Sequence, residues 1–119
     1  MGVTHAAGWA ATGAQIAGLV AETVEEAKPL ADQYGIPVYA NYGALLKDVD
    51  VIDICTPTHL HAEMVLQAAA AGVQVVCEKP LARTTQQAQA IIQACQTAGV
   101  QLLVAHVVRF FPEYALARA

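Results

Sequence analysis

Apolar residues along this chain gather into short runs, and between the runs they return at helical spacing. Residues 14–21, 36–39, 49–55, 73–77 and 102–105 each read as a buried strand, being too continuously apolar and β-branched for a half-exposed one. Helical patterns fill the intervals at 3–11, 23–34, 42–47, 59–71 and 88–98. Each of the sequences Gly35-Ile36-Pro37-Val38, Gly72-Val73-Gln74-Val75 and Gly99-Val100-Gln101-Leu102 marks the same event, a helix stopped by glycine and followed by a strand. Helices alternating with strands predict an α/β fold built from right-handed crossovers on a parallel sheet.

Local chemistry sharpens several boundaries. Thr23 with Glu26, and Thr84 with Gln87, have capping-box spacing and predict helix starts. Thr58 follows Thr56-Pro57 and is the expected cap of the helix over 59–71, whose Leu60, Met64, Leu66 and residues 68–71 supply an apolar face. Ile91, Ile92 and Cys95 are expected to point inward from the helix over 88–98. Pro29 falls inside a helical pattern, where its missing N–H and ring clash cost about 3 kcal/mol, so a kink or a late start is expected. The tail over 109–119 carries Phe110, Phe111 and Tyr114 with no partner legible in the sequence, which predicts that a further segment or a second copy of the chain covers it.

Composition changes the picture only by exclusion. With 119 residues, 56% of them hydrophobic, the chain is sized for one domain with one core. A net charge of -4 and six scattered basic residues leave no patch for a phosphate backbone, so nucleic acid is not an expected partner. The three cysteines lie far apart with no C-x-x-C pair, which fits a reducing, cytoplasmic setting. Neither a membrane-spanning run nor a signal-like start is legible.

Candidate chemistry concentrates after the strands over 49–55 and 73–77. Glu78-Lys79-Pro80 puts a lysine at the carboxyl end of a buried strand, the edge where open α/β sheets bind ligands. Gly2 opens the first helix and Glu22 ends the first strand about 20 residues later, the spacing at which a dinucleotide fold places an acidic residue on the ribose. That spacing suits an ordinary helix start equally well. His59, His61 and Glu63 invite a metal reading, but residues two apart on a helix do not share a face, and no metal site is expected. Cys55 and Cys77 have no charged activator beside them and read as core.

Residues 1–6 (Met-Gly-Val-Thr-His-Ala), 54–62 (Ile-Cys-Thr-Pro-Thr-His-Leu-His-Ala), 77–81 (Cys-Glu-Lys-Pro-Leu) and 104–110 (Val-Ala-His-Val-Val-Arg-Phe) together resemble the amino-terminal domain of the Gfo/Idh/MocA oxidoreductases. The resemblance spans nearly the whole chain in order, and Glu-Lys-Pro after a strand is its most specific part. It implies an NAD(P)-dependent enzyme that moves a hydride between a sugar or cyclitol carbon and nicotinamide. By that resemblance Lys79 is the catalytic lysine, hydrogen-bonded to the reacting hydroxyl. Gly2 stands for the third fingerprint glycine and Glu22 for the ribose ligand. Thr56, Pro57 and Thr58 line the cofactor with His61 in the helix beyond, and Glu78 orients the lysine or faces the nicotinamide ribose. Because a carboxylate at Glu22 repels a 2′-phosphate and no arginine follows it, NAD is expected rather than NADP.

Against the family pattern, about ten residues that would form the central first strand and the first two glycines do not precede Met1, and no carboxyl-terminal substrate domain follows Ala119. The expectation is therefore a single incomplete Rossmann-derived domain over 1–119. Its five parallel strands would lie between two helical layers and close up into the flavodoxin-like order 2-1-3-4-5. The chain by itself is expected to be a nucleotide-binding domain without turnover, meeting a sugar or cyclitol only with the missing domain. The alternative is a vestigial structural domain that forms a homodimer and binds no cofactor.

Overall fold

Thr23 and Thr84 set the first two landmarks. In the computed structural model, which describes residues 1–118, the Thr23 hydroxyl accepts from the Glu26 amide at 3.2 Å and the Thr84 hydroxyl from the Gln87 amide at 3.1 Å. The described chain forms helices α1 (Gly2–Ala11), α2 (Val24–Tyr34), α3 (Tyr42–Leu45), α4 (Thr58–Ala70), α5 (Thr85–Ala98) and α6 (Pro112–Arg118). Strands β1 (Val51–Ile54), β2 (Gln74–Glu78) and β3 (Leu102–Ala105) alternate with the middle helices, and a 3₁₀ turn spans Val107–Phe110. The backbone falls into two compact units, Met1–Ile52 and the chain from Asp53 onward.

In the first unit α2 packs inward through Ala27 and Ala31. Its end is closed by Gly35 at φ 62°, whose amide and that of Ile36 both donate to the Ala31 carbonyl. Glycine adopts that left-handed conformation without a Cβ clash. The late start expected from Pro29 is not found. Helix α2 begins at Val24, directly after its cap, with Pro29 inside it.

The expectation of five strands is corrected to three among the described residues, joined in the order β1-β2-β3. The sheet of order 2-1-3-4-5 is accordingly not the one found. Residues 14–21 and 36–39 meet instead at one parallel bridge, Leu19 to Val38. The Leu19 amide donates to the Pro37 carbonyl at 3.1 Å and the Tyr39 amide to the Leu19 carbonyl at 2.8 Å. One step further back, a parallel ladder would need the amide of residue 37. Proline has none, so the pairing stops there.

The second unit carries most of the core. Strand β2 pairs with β3 in parallel, Val75 opposite Leu102 through Glu78 opposite Ala105. Ile54, Val65, Val75, Cys77 and Ile91 are essentially inaccessible to solvent. On α4 the buried positions are His61, Val65, Ala68 and Ala69, an i, i+4, i+7, i+8 stripe. The apolar face expected at Leu60 and Leu66 is corrected, since both side chains are exposed. Likewise Ile91 and Cys95 are buried on α5 while Ile92, one position off the stripe, is exposed.

Thr58 is not the cap of α4 but its first residue; Pro57 occupies the cap position. Proline just ahead of a helix contributes a fixed φ near the helical value and lacks only a donor that the helix start would leave unpaired. Along the tail, Phe110 is 82% exposed and Leu116 77%, with Phe111 and Tyr114 also exposed. Ala119, the last residue of that expected tail, lies outside the described residues.

Candidate functional site

Two chain reversals sit side by side at the carboxyl ends of β1 and β2, neighbours in the sheet. The first is Cys55-Thr56-Pro57, leading into α4; the second is Lys79-Pro80, leaving β2. Apolar β1 and β2 hold these reversals on a rigid base. Ile54 is 1% exposed and Cys77 is fully buried, directly before them.

Glu78 is a buried carboxylate at the end of β2. Its Oε2 accepts from the Lys79 amide at 2.9 Å, so the side chain turns back on the reversal that follows it. A hydrogen bond from a backbone N–H to a carboxylate is charge-assisted and roughly twice as strong as a neutral one. The Lys79 backbone is therefore held while its side chain reaches solvent. The Lys79-Pro80 peptide is cis.

His61 lies in the first turns of α4 and is 1% exposed. One ring nitrogen, Nε2, is 2.8 Å from the Thr56 carbonyl oxygen, and the other, Nδ1, is 2.9 Å from the Pro80 carbonyl oxygen. Both nitrogens thus face main-chain oxygens, leaving no ring nitrogen for a ligand. His59 is exposed, so the two histidines look into different surroundings, as the helical spacing requires. Thr56 is half-buried, its hydroxyl 3.3 Å from the Met64 sulfur; Pro57 is exposed and Thr58 half-buried.

The thiols bordering the site are inert. Burial first, and then the negative charge of Asp53, push the Cys55 thiol up to about 12. Burial and the same carboxylate push Cys77 up to about 12 as well. A thiol so far above its ordinary range is a poor nucleophile near pH 7.

The first unit carries the remaining candidates, Gly2 and Glu22. Gly2 is the first residue of α1, where Met1 provides no side-chain cap. A Cβ added to Gly2 would meet nothing within 4 Å. The start of α1 therefore combines open space with helix N–H groups that have no partner inside the helix. Glu22 is exposed, in the bend between the Leu19 bridge and α2.

Sequence reasoning did not foresee the burial of His61. A signal was present: His61 stands in phase with Val65, Ala68 and Ala69, whereas Leu60 and Leu66 do not.

Residues 1–106 match the family model of oxidoreductases with an NAD-binding Rossmann fold, GFO_IDH_MocA. The chain belongs to the Gfo/Idh/MocA oxidoreductase family. Among its relatives, a D-xylose 1-dehydrogenase (NADP(+)) of Haloferax volcanii is 39% identical over 101 residues, 82% of this chain and 31% of that protein. The solved UDP-N-acetylglucosamine 3-dehydrogenase of Acidithiobacillus ferrooxidans superposes with a TM-score of 0.92 at 33% identity, covering 98% of this chain and 38% of that one. A levoglucosan dehydrogenase solved with NADH and levoglucosan gives a TM-score of 0.87 at 32% identity, covering 99% of this chain and 35% of that one. This Gfo/Idh/MocA chain thus has the α/β Rossmann fold and spans about a third of the length of these three relatives. Among the described residues, no helix is long and apolar enough to cross a membrane.

Proposed function

We propose that this chain is the NAD-binding domain of a sugar or cyclitol dehydrogenase, with Lys79 as the group that meets the reacting hydroxyl. The observation that carries the reading is the placement of Thr56-Pro57-Thr58 and Glu78-Lys79-Pro80 at neighbouring strand ends on one edge of the sheet. Open α/β sheets bind their ligands at that edge. The family match over residues 1–106 supports the reading as a cofactor domain.

The donor set suits a dinucleotide. The uncapped start of α1, unobstructed at Gly2, suits a pyrophosphate. Glu22 offers a carboxylate to two ribose hydroxyls and repels a 2′-phosphate, which favours NAD over NADP. Thr56, Pro57 and Thr58 would line the cofactor, and buried Glu78 would hold the lysine reversal in place. NAD, when bound, supplies the hydride acceptor. Lys79 would donate a hydrogen bond to the substrate hydroxyl and lower the barrier to its deprotonation.

A fluorescence titration with NADH tests this reading. The chain should bind saturably, Glu22→Ala should weaken binding about tenfold through loss of charge-assisted hydrogen bonds, and Lys79→Met should leave it unchanged. An absence of binding at millimolar NADH would overturn the proposal.

One observation favours a second reading, a cofactor-free module that forms a homodimer. Phe110, Phe111, Tyr114 and Leu116 are exposed together along the 3₁₀ turn and α6. Light scattering over a concentration series decides it: a mass that stays monomeric removes this reading. A cytoplasmic setting is part of the proposal, supported by three free cysteines of which Cys77 and Cys95 are buried.

A further inference from the structure

His61 is a buried polar side chain of the second unit, 1% exposed. Its ring touches two main-chain carbonyl oxygens at 2.8 and 2.9 Å, one from each strand-end reversal. Thr56 lies two residues beyond β1 and Pro80 two residues beyond β2. The intervening chain between those carbonyls comprises all of α4 and β2, so no local hydrogen bonding could set their spacing. The side chain that spans them does so from a helix start anchored by Val65 and Ala68 in the core.

Both partners are acceptors. A neutral imidazole has one N–H and donates to one carbonyl according to its tautomer, whereas a doubly protonated ring donates to both. In either state the ring fills the space between the two oxygens, and its removal would take away the donor that the two carbonyl groups share.

We propose that His61 is a positioning residue that straps the Thr56-Pro57 reversal to the Lys79-Pro80 reversal, so that the cofactor-facing segment and the candidate catalytic lysine keep one register. The assignment of Lys79 rests on the function proposed above; the strap itself rests on the two contacts. Its role lies in setting where other groups stand, since both of its nitrogens are occupied by the protein.

Amide hydrogen exchange on the full chain tests the strap. In His61→Phe, which keeps a ring of similar size in the slot, the amides of Leu60, bonded to the Pro57 carbonyl, and of Lys79, bonded to the Glu78 carboxylate, should exchange about tenfold faster, the scale of one lost hydrogen bond. Those of Val76 and Cys77 in β2 and of Ala68 and Ala69 in α4 should keep their rates. His61→Gln, with a side-chain amide able to reach one carbonyl, should restore one reversal. Acceleration spread evenly over α4 and β2 would show a packing role and overturn the proposal, as would an unchanged Lys79 reversal.

Should the variants not fold, the wild-type ring provides the readout. A solvent-protected ring N–H with nuclear Overhauser contacts to both Thr56 and Pro80 is expected in its ¹⁵N spectrum, and its absence would overturn the strap. NADH titration of His61→Phe should show about tenfold weaker binding. A wild-type chain that binds no NADH would defeat the cofactor reading, while the exchange pattern would still decide the strap.

Discussion

Cys55 directly follows β1 and Cys77 is the penultimate residue of β2, the two strands that present the candidate site, and both thiols are held neutral, chiefly by burial. A thiol whose folded pKa lies above its unfolded value stabilises the fold below the unfolded pKa, and that contribution is lost as pH rises toward the folded one. The expected outcome is a melting temperature insensitive to these groups up to about pH 9, the ordinary thiol range, then falling steadily towards pH 12. Thermal melts across that window check it, and alkylation by iodoacetamide at pH 8 should leave Cys77 unmodified in the folded chain. The residue scale is also where reading the sequence met its sharpest limit. The core character of Cys77 was legible because apolar neighbours surround it, whereas Cys55, also expected in the core, is only half-buried. His61 was legible as a helix-start residue but not as a buried one, because the two carbonyls that accommodate it come from positions 5 residues before and 19 residues after it in the chain.

Helix starts are local, and the structure treats them so. The Thr84 hydroxyl accepts from the Gln87 amide, whereas Thr58 stands inside α4 and its side chain caps nothing. Thr84→Ala should therefore cost about 1 kcal/mol of stability, and Thr58→Ala only a few tenths, measurable as separated midpoints in urea unfolding. Equal losses would contradict the cap assignment. Caps at Thr23 and Thr84 were readable because both partners lie within four residues of each other. The strand over 14–21 was misread for the complementary reason: a strand is completed by a partner, and the partner segment carries Pro37 at the position that would have to donate. Gly18 adds a steric constraint, since a Cβ there would run into the Tyr39 ring. That ring is itself tied by its hydroxyl to Asp48 at 2.9 Å.

Burial is unevenly shared over the whole molecule. From Val65 through Val100, the second unit holds a continuous series of buried apolar side chains on α4, β2 and α5, while the first unit buries chiefly Ala27, Ala31, Leu45 and Leu46. Regions with few buried apolar contacts open at lower free energy. Native-state exchange should accordingly find its slowest amides in β2, α4 and α5, with α1 exchanging faster than α2, α4 and α5, because none of its residues is buried. Protection in α1 equal to that in β2 would refute this ranking. Alternation of helix and strand, the family and the edge of the sheet that bears Lys79 could all be inferred from sequence, since each leaves a local motif. The division into two compact units could not, because it depends on how many contacts each segment finds across the fold.

Lys79 is clamped at its root and loose at its tip: its amide is gripped by the Glu78 carboxylate while its side chain extends into solvent. A ligand that recruits the ammonium inherits the task of freezing four rotatable bonds, an entropic cost of up to about 2 kcal/mol. Selectivity at such a centre would come from whatever arrests that swing, so a hydroxyl that leaves the tether wandering would be held yet react slowly.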